Sequence, residues 1–191
     1  AASNGDIYDV TTGTPSVSQA STGSTEDIWI TTQFSNSAGT YLLAVSPGAG
    51  YWTFDGTSWT QQSVSGLPTD LTSVAVWKNR VWFTADNDSS VYYLASVDAI
   101  TGTATEFVMG PLLRNGGYVR AIVNWTLDAG VGVDDYLVVI GSEGDVGVWQ
   151  GTDPTSAATF GLKGVWYVGP VPKYGRFFTS YGGDVMVLSA L

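Results

Sequence analysis

Between Leu71 and Met109 the chain runs LTSVAVWKNRVWFTADNDSSVYYLASVDAITGTATEFVM, a fourfold alternation of short apolar runs with short polar breaks. The apolar runs are rich in β-branched and aromatic residues, which suit a pleated, half-buried surface. The breaks are Lys78-Asn79, Asp86-Asn87-Asp88 and Thr101-Gly102, the residue types that tolerate tight turns. Four strands joined this way form an antiparallel unit of about 40 residues, the repeat length of a β-propeller blade.

The same pattern recurs on both sides. A first unit is predicted over Ile28–Phe34, Tyr41–Val45, Tyr51–Phe54 and Trp59–Val64, with Asp55-Gly56 as the hairpin signal before its last strand. A third begins at Val119, continues through Tyr136–Ile140 and Val146–Trp149, and closes near Phe160–Val168. Its turns are a long Thr126–Asp135 segment, Ser142-Glu143-Gly144-Asp145 and Gly151-Thr152-Asp153-Pro154. A fourth has only Arg176–Ser180 and Val185–Leu188 around Gly182-Gly183-Asp184.

Ahead of these, residues 6–10 read as a strand and residues 11–26, small and polar, as a loop or lid. The expected organisation is an N-terminal strand and polar loop over 1–26, followed by propeller blades at about 27–66, 71–110, 118–169 and 174–191, the last partial. The fold class is therefore all-β: a β-propeller of four-stranded antiparallel blades with about three and a half blades present. Closed propellers have at least four blades. The chain is expected to be a piece of a longer protein, or to have its ring completed by another segment, because an open array leaves faces and edges exposed.

Composition narrows the function. Neither Cys nor His occurs among the 191 residues. This removes a disulfide framework, hydrolases that need a His base, and the common Zn, Cu and Fe sites. Charged residues are only 13% while aromatics reach 13% with 8 Trp, as suits strands and turns rather than helices. Eight acids face two bases in residues 1–95 and nine face five in 96–191, giving a net charge of -10. Without a basic patch, phosphate-neutralising DNA or RNA binding is not expected, whereas an acidic surface suits a conduit along which DNA slides without sticking. No apolar run approaches the ~18 residues of a membrane helix, so no membrane insertion is expected. The chain opens Ala-Ala-Ser with no Met and no signal-peptide pattern, a start expected of a processed or truncated product.

Several local patterns carry possible chemistry. Asp86-Asn87-Asp88-Ser89-Ser90 begins like a calcium loop, but Val91 and Val97 occupy the places of the required Gly and Glu, so a polar hairpin turn is the better reading. Asp128, Asp134 and Asp135 cluster on a Gly-rich loop where oxygen ligands could hold a hard cation. Thr53-Phe54-Asp55-Gly56-Thr57-Ser58-Trp59 resembles the Asp-box of sialidase-type propellers, one residue short and present once. Here Asp55 is expected to accept backbone hydrogen bonds in its own turn. Val91–Gly102 resembles a quinoprotein-type repeat, which supports a blade. Trp52, Trp59, Trp77, Trp82, Trp125, Trp149 and Trp166 could stack on sugars, and a carboxylate pair could hydrolyse a glycoside without His. The simpler reading is that these aromatics fill the space between blades. Asn87-Asp88-Ser89 and Asn124-Trp125-Thr126 are glycosylation sequons only in a secreted eukaryotic context. No catalytic, cofactor-binding or metal-binding residue is assigned.

A longer ordered pattern runs from Leu71 to the end. Its parts are Val76-Trp77-Lys78-Asn79-Arg80-Val81-Trp82-Phe83, Gly117-Tyr118-Val119-Arg120-Ala121-Ile122, Trp125–Gly130 and Asp134–Val139. They are followed by Ser142-Glu143-Gly144-Asp145-Val146, Gln150-Gly151-Thr152-Asp153-Pro154, Leu162–Gly169 and Gly182–Leu188. Over these roughly 120 residues the chain resembles the propeller region of phage tail nozzle (tail tubular) proteins, relatives of head–tail joining proteins that stabilise packaged DNA.

The resemblance implies a structural, non-enzymatic part of the virion tail, made in the host cytoplasm, that extends or seals the DNA channel. It implies a homo-oligomeric ring, commonly a hexamer, with other tail, portal or adaptor proteins and fibres as partners, and DNA passing without specific binding. It implies no cofactor. Proteins of that family are several times longer, so their ring-forming and gating parts are not in this chain. Under this reading Arg80, Arg114, Arg120, Lys163, Lys173 and Arg176 would supply ion pairs between subunits, and the Thr126–Asp135 segment would touch neighbouring subunits. The competing expectation is a carbohydrate-binding or glycan-cleaving propeller.

Overall fold

The alternation of apolar and polar runs becomes strands throughout the computed structural model, which describes residues 5–19, 22, 24, 28–128, 133–173, 177–181 and 183–190. Strands β1 (Ile7–Asp9) and β2 (Ser16–Gln19) pair as an antiparallel hairpin. The stretch expected to be loop thus contributes a strand, because Ile7–Asp9 offers it an open edge.

The first unit is β3 (Ile30–Asn36), β4 (Gly39–Ser46), β5 (Gly50–Phe54) and β6 (Trp59–Gln61), in that order across the sheet. Next comes the short β7 (Val64–Ser65). The second unit is β8 (Leu71–Trp77), β9 (Arg80–Ala85), β10 (Ser90–Leu94) and β11 (Gly102–Val108), with β7 added parallel to β11 at its outer edge. Val64, read as the end of the first unit, therefore belongs to the second sheet and ties the two together.

The third unit is β12 (Val119–Asp128), β13 (Val133–Gly141), β14 (Asp145–Gly151) and β15 (Phe160–Tyr167). The segment expected as a long Thr126–Asp135 turn is mostly ladder. Thr126 pairs with Asp135, Leu127 with Asp134 and Asp128 with Val133, so the hairpin extends almost to its tip. Two strands, β16 (Phe178–Tyr181) and β17 (Asp184–Val187), form the last unit. Among the described residues there is no α-helix, only the single 3-10 turn Gly110–Leu112.

Turn chemistry fixes the register. Lys78 and Asn79 both have positive φ, 50° and 56°, the paired left-handed geometry of a two-residue hairpin whose twist matches the strands it joins. Gly144, at φ 93°, closes the turn between β13 and β14, and a Cβ there would collide with the backbone of Gly169. Glycine is required at that position by conformation and by space.

The units stack face to face. Along β9, Val81 and Phe83 point into the first unit's Phe34, Leu43, Val45 and Tyr51, while Trp82 points the other way into the third. A strand sandwiched between two sheets is buried at every position, as β9 and β10 are. The seam between units two and three is the most aromatic: the Phe160 ring lies 5.7 Å from Trp77, 5.6 Å from Phe107 and 6.4 Å from Trp82. Ala121, Val123, Val138, Ile140, Val146 and Val148 of unit three meet Phe177, Phe178, Val185 and Val187 of the half-unit. The result is an all-β, propeller-like array of antiparallel sheets, three of them complete, with no sheet closed into a barrel.

Candidate functional site

Each unit's first strand lies at the edge of its sheet, so β3, β8, β12 and β16 each carry an unpaired edge. All four line one groove of about 390 Å³. Their second residues are Thr31, Thr72, Arg120 and Thr179, and all four side chains belong to the lining. The residues after them are Thr32, Ser73, Ala121 and Ser180. Three units thus place two consecutive hydroxyl residues along the groove at the same step of the fold, the Thr72 hydroxyl sharing a 2.9 Å hydrogen bond with Thr84, and the third places an arginine there instead. Asn124 lies further along β12 on the same lining.

Arg120 is the single charged residue among the described residues lining the groove, although acids outnumber bases by ten in the chain. One guanidinium nitrogen of Arg120, Nη1, donates to Asp86 at 3.1 Å, and Lys173 approaches the other Asp86 oxygen at 3.0 Å. Burial pushes the Asp86 pKa up, but the bond and charge of Lys173 and those of Arg120 outweigh it and hold the carboxyl below its usual range. Two buried polar atoms on the lining, Ser73 Oγ and Arg120 Nε, have no hydrogen-bond partner in the protein. Such atoms cost roughly 1–3 kcal/mol each unless water or a ligand satisfies them.

The patterns singled out in the sequence resolve as follows. Asp86 is occupied by Arg120 and Lys173. Asp88 accepts from the Ser90 amide and the Tyr92 hydroxyl, so this turn is structural. Asp135 accepts from Thr126 and Lys78, and Asp134 lies 3.5 Å from the Tyr136 hydroxyl. The Asp128 side chain lies outside the described residues. No group of three potential ligands that could hold a metal occurs among the described residues. Asp55 accepts from the Thr57 and Ser58 amides at 2.8 Å each, the self-contained turn expected of it. The Ser58 and then the Thr57 amide hold its carboxyl below the usual pKa range.

The aromatics are chiefly core. Trp52, Trp77, Trp82 and Trp149 are buried, and Trp59 and Trp125 are half-buried. Trp166 differs: it is 53% exposed and lines an apolar cleft of about 470 Å³ with Trp125, Val146, Val148, Val168 and Val185. This cleft lies where unit three extends beyond the two strands of the half-unit.

Of the six bases expected to pair between subunits, three are engaged within the chain. Arg80 is buried, donates 2.6 Å bonds to the Leu94 and Ala95 carbonyls, and lies 5.2 Å from the Tyr93 ring centroid. Arg120 and Lys173 meet Asp86. Arg114 and Lys163 are exposed, and Arg176 lies outside the described residues. Hydropathy periodicity could not separate a buried structural arginine from a surface one, since both interrupt an apolar run.

Sequence reasoning did not find the groove. The signal was present as Ile30-Thr31-Thr32, Leu71-Thr72-Ser73 and Phe178-Thr179-Ser180, three copies of an apolar residue followed by two hydroxyls at the head of a unit. No helix among the described residues is long and apolar enough to cross a membrane. Comparison of the chain with protein-family models, with curated proteins and with solved structures finds no match in any of the three.

Proposed function

We propose that the chain is a structural component of a phage virion tail, a propeller segment of a nozzle or head–tail joining protein that helps extend or seal the DNA channel. The observation that carries this reading is the uncovered flank of unit three. Trp166, Val168, Val146 and Val148 form an apolar cleft beside a half-unit of two strands, and Trp166 and Val168 are exposed there. Apolar surface gathered in one place marks a surface that another part of an assembly covers. Stiff, doubly packed sheets such as β9 and β10 suit a part that resists mechanical load. An acidic exterior suits one that DNA passes without adhering. The ordered resemblance from Leu71 onward supports the same assignment.

The test is direct. Antibodies raised against the chain should label the tail end of purified virions. Electron cryomicroscopy of those particles should place three stacked sheets and the half-unit in each subunit of a ring. A protein absent from particles and monomeric in solution overturns the proposal.

A further inference from the structure

We infer that the groove between the four first strands is a binding site for a small polyhydroxylated carboxylate of the uronic-acid class. This inference is independent of the role proposed above. Four kinds of observation converge on it.

The walls are polar in a particular way. Thr31, Thr72 and Thr179 recur at one step of three units, with Ser73, Ser180 and Asn124 beside them. Hydroxyls and a carboxamide both donate and accept, and so do the hydroxyls of a sugar. The strand edges around them add main-chain N–H and C=O groups that no neighbouring strand among the described residues takes up.

The charge is selective. Arg120 is the one charged residue among the described lining residues, and its guanidinium meets the carboxylate of Asp86 at 3.1 Å. A guanidinium is the side chain best shaped to receive a carboxylate.

Two polar atoms await a partner. Ser73 Oγ and Arg120 Nε are enclosed and unbonded within the protein. The indoles of Trp77 and Trp82 also lack acceptors, but those rings sit in the aromatic core between units. Finally, about 390 Å³ falls within the ~300–1,000 Å³ typical of small-ligand sites. The ligand's carboxylate would accept from Arg120, and its ring hydroxyls would exchange hydrogen bonds with the threonine and serine positions.

The experiment is an NMR titration of the isotope-labelled chain with sodium D-glucuronate, and separately with D-glucose and with sodium acetate. Glucuronate is expected to shift the amides of Thr31, Thr72, Arg120 and Thr179 together, with glucose and acetate each at least about tenfold weaker. Asn124→Asp adds a negative charge at an exposed lining position without touching the core. It is expected to weaken glucuronate about fivefold more than it weakens glucose, since the added charge repels only the anion. Thr179→Val, also at an exposed position, is expected to weaken both sugars and leave acetate unchanged. Spectra away from the groove report whether each variant keeps its fold. Absence of groove shifts up to roughly 50 mM glucuronate, well above the millimolar range of weak specific sites, overturns the inference. So does acetate binding as tightly as glucuronate, which would leave only a bare anion site. An Asn124→Asp variant with undiminished glucuronate affinity also overturns it.

Discussion

Arg120 donates to Asp86 across 3.1 Å, joining the turn after β9 in the second unit to the start of β12 in the third, with the two side chains 8% and 17% exposed. An ion pair this enclosed acts differently from one on the surface. Removing one partner strands a charge away from water, and that loss outweighs the modest net worth of the intact pair.

The pair makes a prediction about acid. The Asp86 carboxyl is raised by burial but lowered more by Lys173 and Arg120, so its folded pKa lies below the unfolded value of about 3.9. The folded state then binds fewer protons than the unfolded one. The contribution of Asp86 is complete above about pH 4 and disappears as pH falls through the lower folded value. Asp86→Asn should cost about 2 kcal/mol near neutrality. The gap from wild type should narrow as pH falls below about 4, as seen in urea midpoints at fixed pH values. A gap independent of pH over that range would contradict the assignment.

A second buried carboxylate works without a cationic partner. Asp145 accepts from the Asn115 amide at 2.7 Å and from its Nδ2 at 2.8 Å, pinning the loop before β12 to the first residue of β14. Asp145→Ala removes two hydrogen bonds to a charged acceptor, each worth about 1.5–3 kcal/mol, partly offset because water reaches the exposed Asn115. We expect a total near 3 kcal/mol and faster hydrogen exchange in residues 113–118, with the amides of β9 unaffected. Uniform exchange acceleration across the chain would show that the loop is not held locally.

Phe160 tests the seam between the second and third units. Its ring contacts Trp77, Trp82 and Phe107, so truncation opens a cavity among large, stiff aromatics that cannot collapse to fill it. Phe160→Ala should cost about 3–5 kcal/mol and weaken the near-ultraviolet circular dichroism of the tryptophan cluster. A loss under about 1 kcal/mol would mean that the units are held together elsewhere.

How much of this was legible in the sequence depends on what each residue is asked to do. Strand identity was written in the alternation: Tyr51–Phe54 lies within β5, and Leu71–Trp77 is β8. Turn geometry was legible wherever Asn, Asp or Gly carried it, as at Lys78-Asn79 and Asp55-Gly56. Pairing between distant segments was not. Val64 reads as one more strand residue, and nothing local says that it joins β11 in parallel. Thr126–Asp135 mixes Gly and Asp with β-formers, and tertiary pairing with the rest of β12 and β13 decided for strand over most of it. The groove escaped notice because its residues are ordinary Thr and Ser, significant only once four strands bring them together. The charge cluster escaped because Asp86, Arg120 and Lys173 are far apart in the chain.

Trp166 provides the last prediction, because it separates packing within the chain from surface kept for an assembly. Six of the seven tryptophans considered for sugar stacking are buried or half-buried, whereas Trp166 is 53% exposed on the cleft beside the half-unit. If that cleft serves association, Trp166→Ser should change the stability of the isolated chain by no more than about 0.5 kcal/mol, as for other exposed positions. It should also lower the binding of an apolar dye and the concentration-dependent self-association seen by sedimentation. Adding Val168→Ser, the other exposed apolar residue lining that cleft, should deepen the second effect without the first. A loss of about 3 kcal/mol from Trp166→Ser alone, comparable with that expected for Phe160→Ala, would instead make Trp166 part of the core. The case for an assembly surface at the half-unit would then fail.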